Sequence, residues 1–132
     1  MKVRAVYTPG LIRAEPRETL AQAAQRMAEN EVGALAVFRG ETFAGIITER
    51  DLVRAIADGP DPWTAQVDEH MTPDPAVISP DADLSEAAAM MLKLEARHLP
   101  VYEGGKVVGM LSARDVLVDE AWPGEAERRP GR

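Results

Sequence analysis

Gly45-Ile46-Ile47-Thr48-Glu49-Arg50-Asp51 returns 64 residues later as Gly109-Met110-Leu111-Ser112-Ala113-Arg114-Asp115. In both copies an apolar run of strand character meets a hydroxyl residue, and a carboxylate follows three positions on. A Ser or Thr with an acid at that spacing, ahead of apolar residues, opens a helix. The hydroxyl accepts the N–H of that acidic residue, and the carboxylate accepts the N–H of the hydroxyl residue in return. The stretch therefore marks a strand-to-helix junction, and it occurs twice.

The register extends outward from this junction without a gap. Val3 falls on Val67, Thr8-Pro9 on Thr72-Pro73, Pro16 on Pro80 and Leu20 on Leu84. It runs on through Ala23-Ala24 and Ala87-Ala88, Met27 and Met91, Leu35 and Leu99, and Gly40 and Gly104. Composition can match alanines by chance, but not glycines, prolines and an Arg-Asp pair in one register. The chain is a tandem duplication.

Each copy predicts the order β-α-β-β-α. Thr19-x-x-Gln22 and Asp83-x-x-Glu86 read as capping boxes at the start of a helix. Leu20, Ala23, Ala24 and Met27, with Leu84, Ala87, Ala88 and Met91, form the i, i+3, i+4, i+7 stripe of its buried face. Ala34 to Phe38 and Leu99 to Tyr102 read as strands, joined through Gly-containing turns to Phe43–Ile47 and Val107–Leu111. A last helix carries Leu52, Val53 and Ile56, or Val116 and Leu117. A short strand is expected near Leu11-Ile12 and Val77-Ile78. The fold class is α+β, of α/β type. Residues 1–58 and 67–121 are the repeats, 59–66 a linker containing Gly59-Pro60-Asp61-Pro62, and 122–132 a disordered tail. One repeat is marginal alone, so the two are expected to form one module about a pseudo-two-fold axis.

Composition narrows the function. The 132 residues are 45% hydrophobic and 28% charged, which suits one module of ordinary size. A net charge of -7 disfavours non-specific binding to nucleic acid, which draws on Lys and Arg. There is no cysteine, which excludes disulfides, thiolate nucleophiles and Cys-type metal sites. No apolar run approaches the roughly 20 residues that span a bilayer, and the first residues lack a signal-peptide core. A cytoplasmic location without membrane contact is expected.

The duplicated junction also carries chemistry. A helix N-terminus presents free N–H groups and the positive end of a dipole, which suits a phosphate. Thr48 or Ser112 can add a hydroxyl bond. The carboxylate of Asp51 or Asp115 can accept both hydroxyls of a ribose. Hydroxyl and carboxylate together suit a nucleoside phosphate. The same residues also suit a plain helix cap, and the sequence leaves both readings open. Asp68-Glu69-His70 reads as a solvated turn, since adjacent side chains diverge and do not share a metal. No Ser-His-Asp spacing and no GxxxxGK[ST] is present, so no catalytic role is expected.

Paired β-α-β-β-α repeats ending in G-h-h-[ST]-x-x-D resemble the CBS-domain pair, or Bateman module. Val3-x-x-Val6-x-Thr8-Pro9, Val67-x-x-x-Met71-Thr72-Pro73 and His98-Leu99-Pro100-Val101 carry the likeness further, over residues 1 to 121. The resemblance implies a regulatory module that binds AMP, ADP, ATP or S-adenosylmethionine in clefts between repeats, with no required cofactor. It implies that Asp51 and Asp115 hold ribose, Thr48 and Ser112 phosphate, with Arg50 and Arg114 beside them. Ile12, Ala14, Gly33 and Ala34, with Val77, Ile78, Arg97 and His98, would form the adenine slots. Arg97 and His98 would also reach phosphate, whereas Glu49 would oppose it. The alternatives are a ligand-free assembly module whose motifs only cap helices, and a nucleotide-dependent regulator of a nucleic-acid or signalling protein. Off the core stripe the first repeat has Arg26 and Asn30 where the second has Met90 and Leu94, joined by Leu92, and this apolar excess predicts a homodimer face. The regulated protein partner is not named by the sequence.

Overall fold

The structure, a computed structural model, describes residues 1–121; the expected tail at 122–132 lies outside the described residues. The elements are β1 (Thr8–Pro9), β2 (Arg13–Ala14), α1 (Leu20–Asn30), β3 (Ala34–Arg39), β4 (Thr42–Thr48), α2 (Glu49–Ala57), α3 (Val67–His70), β5 (Thr72–Pro73), α4 (Leu84–Leu94), β6 (His98–Glu103), β7 (Lys106–Ser112) and α5 (Ala113–Ala121). A single 3-10 turn at Val3–Ala5 precedes them. The expected β-α-β-β-α order is present in both repeats. In the second repeat, though, the first strand is reduced to one parallel bridge between Ile78 and Val101.

The chain divides into two units, and they do not coincide with the sequence repeats. One unit is Leu11–Pro75, and the other combines Met1–Gly10 with Ala76 onward. Each repeat thus gives its lead-in to the other repeat's unit.

In the Leu11–Pro75 unit the sheet order is β2-β3-β4-β5. β2 is parallel to β3, and the β3–β4 hairpin pairs Ala34 with Thr48 at one end and Arg39 with Thr42 at the other. The lead-in strand β5 lies antiparallel to β4, setting Gly45 against Pro73. Leu20, Ala23 and Met27 of α1 pack with Leu35, Val37 and Ile47 of the hairpin and with Leu52 and Ala55 of α2. Each buried Leu or Ile contributes about 1.5–3 kcal/mol. Two details differ from the expected stripes. Ala21 is buried while Ala24 is exposed, and Val53 and Ile56 point outward while Ala55 is buried. Within the 59–66 segment Ala65 joins the core, and its carbonyl accepts the N–H of Leu20.

In the other unit the sheet order is β1-β7-β6, with the lead-in strand β1 antiparallel to β7. Val3, Ile78, Leu84, Ala87, Met91, Leu99, Val101, Leu111 and Val116 form its core. Met90 packs against that core, whereas Leu92 and Leu94 are exposed at 82% and 50%. The box at Thr19 forms as expected, but Asp83 makes no side-chain cap. Its carboxylate is taken instead by Lys2 at 3.1 Å, so the ion pair outcompetes the N–H groups. Both long helices end on a Glu in left-handed conformation, Glu31 and Glu95, each with φ 53°.

No helix among the described residues is long and apolar enough to cross a membrane.

Candidate functional site

In the Leu11–Pro75 unit the site forms where β4 passes into α2. Thr48 is the N-cap, in extended conformation, and its Oγ1 accepts the N–H of Asp51 at 3.2 Å. Asp51 Oδ2 accepts the N–H of Thr48 at 2.9 Å. The cap reading is therefore satisfied in full, a bond set worth about 1 kcal/mol. The box does not exhaust the carboxylate, since a second oxygen, Oδ1, faces the lead-in. There Thr72 Oγ1 donates to Oδ1 at 3.3 Å and to Oδ2 at 3.4 Å, two long bonds that leave acceptor capacity over.

Main chain surrounds this junction. Ala34 pairs directly with Thr48, and Gly33 O accepts the N–H of Glu49 at 3.0 Å. Ile12 O accepts the N–H of Ala36, and the Ile12 side chain is 37% exposed. The structure thus brings Ile12, Gly33, Ala34, Thr48 and Asp51 to one end of the hairpin. Ala14 is not brought to that end: it pairs with Val37 farther along β3, and its side chain lies in the core. Arg50 is half-buried one position before Asp51.

The second unit repeats the arrangement with more burial. Ser112 Oγ accepts the N–H of Asp115 at 3.2 Å, and Asp115 Oδ2 accepts the N–H of Ser112 at 2.9 Å. Asp115 is only 5% exposed. His98 pairs with Ser112 across the ladder, and Arg97 O accepts the N–H of Ala113 at 2.7 Å. Ile78 is buried, and its backbone joins Pro100 and Tyr102, while Val77 stays 38% exposed. Arg97 and Arg114 are exposed and His98 is half-buried. The first residue of the helix is Glu49 in one unit and Ala113 in the other, so the first turn of α2 carries two acids, Glu49 and Asp51, against Asp115 in α5, and its positive dipole end is countered more.

Three contributions escaped the sequence reading. Thr72 is one; the repeated Thr-Pro of the lead-ins was its signal. Gly45 and Gly109 are the second. A methyl on Gly45 would collide with the Thr72 carbonyl, and one on Gly109 with the Thr8 carbonyl and, at 2.6 Å, the Tyr7 ring. Only glycine lets the lead-ins lie so close to the junction. Arg26 is the third. Outside the i, i+3, i+4, i+7 stripe of its helix, its Nη1 donates to Arg13 O at 3.0 Å and its guanidinium holds Glu18. It thereby fixes the β2 segment that walls the site. Among the described residues no acid and histidine cluster could hold a metal ion, and Asp68-Glu69-His70 lie in α3.

Comparison with known proteins places these features in a wider set. The CBS domain family model matches residues 3–58 and 67–119. An uncharacterized 17.7 kDa protein of the bps2 3' region of Acidianus ambivalens is 35% identical over 87% of this chain and 70% of its own length. The inosine-5'-monophosphate dehydrogenase of Korarchaeum cryptofilum is 29% identical over 92% of this chain, which corresponds to 25% of that enzyme. A solved CBS domain, NE2398, superimposes with a TM-score of 0.81 at 33% identity, covering 86% of this chain and 89% of its own.

Proposed function

The chain belongs to the CBS-domain family as a tandem pair, and from that premise we propose that it is a regulatory module that binds an adenosine nucleotide (AMP, ADP, ATP or S-adenosylmethionine). Its chemistry is recognition, and it acts on a separate protein partner. The supporting observation is Asp51, whose carboxylate completes a helix cap and still offers acceptor capacity beside Thr72. A ribose with two adjacent hydroxyls suits such a carboxylate. The main chain of Ile12 and Gly33-Ala34 would edge the adenine, with Thr48 and Arg50 toward phosphate. In the other unit Asp115, Ser112, Arg114, Arg97, His98, Val77 and Ile78 would take the same roles. Calorimetry on the full chain with AMP and with 2′,3′-dideoxy-AMP tests this. AMP should bind near the micromolar range, roughly -8 kcal/mol, and the dideoxy compound about tenfold or more weakly. Equal affinity for the two, or no binding of any adenosine compound, overturns the reading.

A second element of the reading is assembly. Leu92 and Leu94, exposed at 82% and 50%, leave α4 with an apolar face that its own core does not use. A self-complementary homodimer would cover it.

A further inference from the structure

Three positions of the duplicated chain carry inverted charges. Arg4, Asp81 and Glu103 correspond, at the 64-residue offset, to Asp68, Arg17 and Arg39. In the first set the lone arginine bonds both acids: Arg4 Nη2 donates to Asp81 Oδ1 at 3.1 Å and to Glu103 Oε2 at 2.6 Å. That cluster is closed by its own ion pairs.

In the inverted set the corresponding bonds are missing. Asp68 Oδ1 is cut off from water and accepts no hydrogen bond among the described residues. Neither Arg17 nor Arg39 forms an ion pair among them. The three line an open depression of about 440 Å³ together with Glu15, Phe38 and Gly40. It lies at the Arg39 end of β3, whereas the nucleotide junction lies at the Ala34 end. Five residue steps along the strand separate them, roughly 16 Å.

Asp68 is half-buried with one oxygen sealed and no donor on it, a costly arrangement that native structures rarely keep without a reason, and the residue lines the depression. Here it stands beside two guanidiniums that have no anion. A ligand that satisfies all three carries an anionic group for the arginines and a donor for the carboxylate. We propose that this depression binds a free α-amino acid. Its carboxylate lies between Arg17 and Arg39, its ammonium donates to Asp68, and Glu15 adds a second negative group at the rim.

Nitrogen-15 NMR titration of the full chain with L-alanine and L-glutamate tests the proposal, with propionate and ethylamine as probes that lack one of the two charges. The amides of Arg17, Arg39, Gly40 and Asp68 should shift with the amino acids. Propionate and ethylamine should each bind about tenfold more weakly, and Arg17→Ala or Arg39→Ala should lower affinity by a similar factor. Both arginines are exposed, so these variants keep the fold. The proposal is overturned if neither amino acid shifts these amides at about 10 mM, if propionate matches L-alanine, or if the double arginine variant still binds.

Discussion

Arg26 and Glu18 meet fork to fork, Nη1 on Oε1 at 2.7 Å and Nη2 on Oε2 at 2.6 Å, with the Glu15 N–H on the same carboxylate at 2.8 Å. The Glu18 side chain is only 16% exposed, so the bidentate pair is partly desolvated. Replacing Arg26 by Met, as the second repeat has it, strands that carboxylate and should cost about 1–2 kcal/mol. Thermal denaturation of Arg26→Met checks this. Adding Glu18→Ala, again as in the second repeat, should restore part of the loss; full additivity of the two costs would deny the coupling.

The same pair predicts an acid response. The Arg26 bonds hold the Glu18 carboxyl below the usual carboxylate range, against an opposing push from burial. A depressed folded value means the stabilisation is fully present above the unfolded value, about 4.3, and is lost as pH falls through the lower folded one. Melting temperature followed from pH 5 downward should therefore fall more steeply for the wild type than for Glu18→Gln. Parallel curves would remove Glu18 from the acid response.

The two capping carboxylates should differ in structural weight. Asp51 is half-buried, whereas Asp115 is 5% exposed. Asp51→Ala should cost about 1 kcal/mol, the ordinary value of a cap. Asp115→Ala should cost about 2 kcal/mol or more, because the N–H of Ser112 loses its partner in a drier place. Urea denaturation of both variants measures the difference, and equal costs would show that burial does not matter at this junction.

Gly109→Ala should dislodge the first lead-in. The added methyl meets the Thr8 carbonyl and the Tyr7 ring. Hydrogen exchange should quicken at Gly10, whose N–H reaches Val108 O at 3.0 Å, while amides of α1 keep their protection. Unchanged exchange at Gly10 would mean that the strand pair tolerates the methyl.

Leu92→Arg with Leu94→Asn should give a soluble monomer with little change in stability, since neither side chain is buried. Met90 is unsuitable for this test, because it packs on its own unit's core. Light scattering of wild type and variant decides it. A monomeric wild type at high concentration would end the dimer reading.

Much of this molecule was legible at short range. Thr48 with Asp51 and Ser112 with Asp115 formed as the spacing foretold, because capping is a matter of four consecutive residues. Asp83 had the same spacing and failed, because its competitor, Lys2, lies far away in sequence. Arg26 misled for the same reason: on a helical wheel it is an outward cation, and only the fold brings Glu18 and the Arg13 carbonyl to it. The inverted charges of Arg4, Asp81 and Glu103 against Asp68, Arg17 and Arg39 were visible in the register. They lie among its mismatches, where the two copies have diverged.

The exchange of lead-ins sets an order of events. Thr8–Pro9 is made early but pairs with Met110 and Gly109, so its partner emerges from the ribosome about a hundred residues later. Leu11–Pro75 holds all its own strands and can close while synthesis continues. The other unit must wait, with Val3 lacking the Ile78 and Leu111 core it belongs to. Closing that long loop is the slow, entropically costly step. It follows that halving the gene between the repeats would leave neither half with a finished sheet, whereas a cut near residue 75 would spare one.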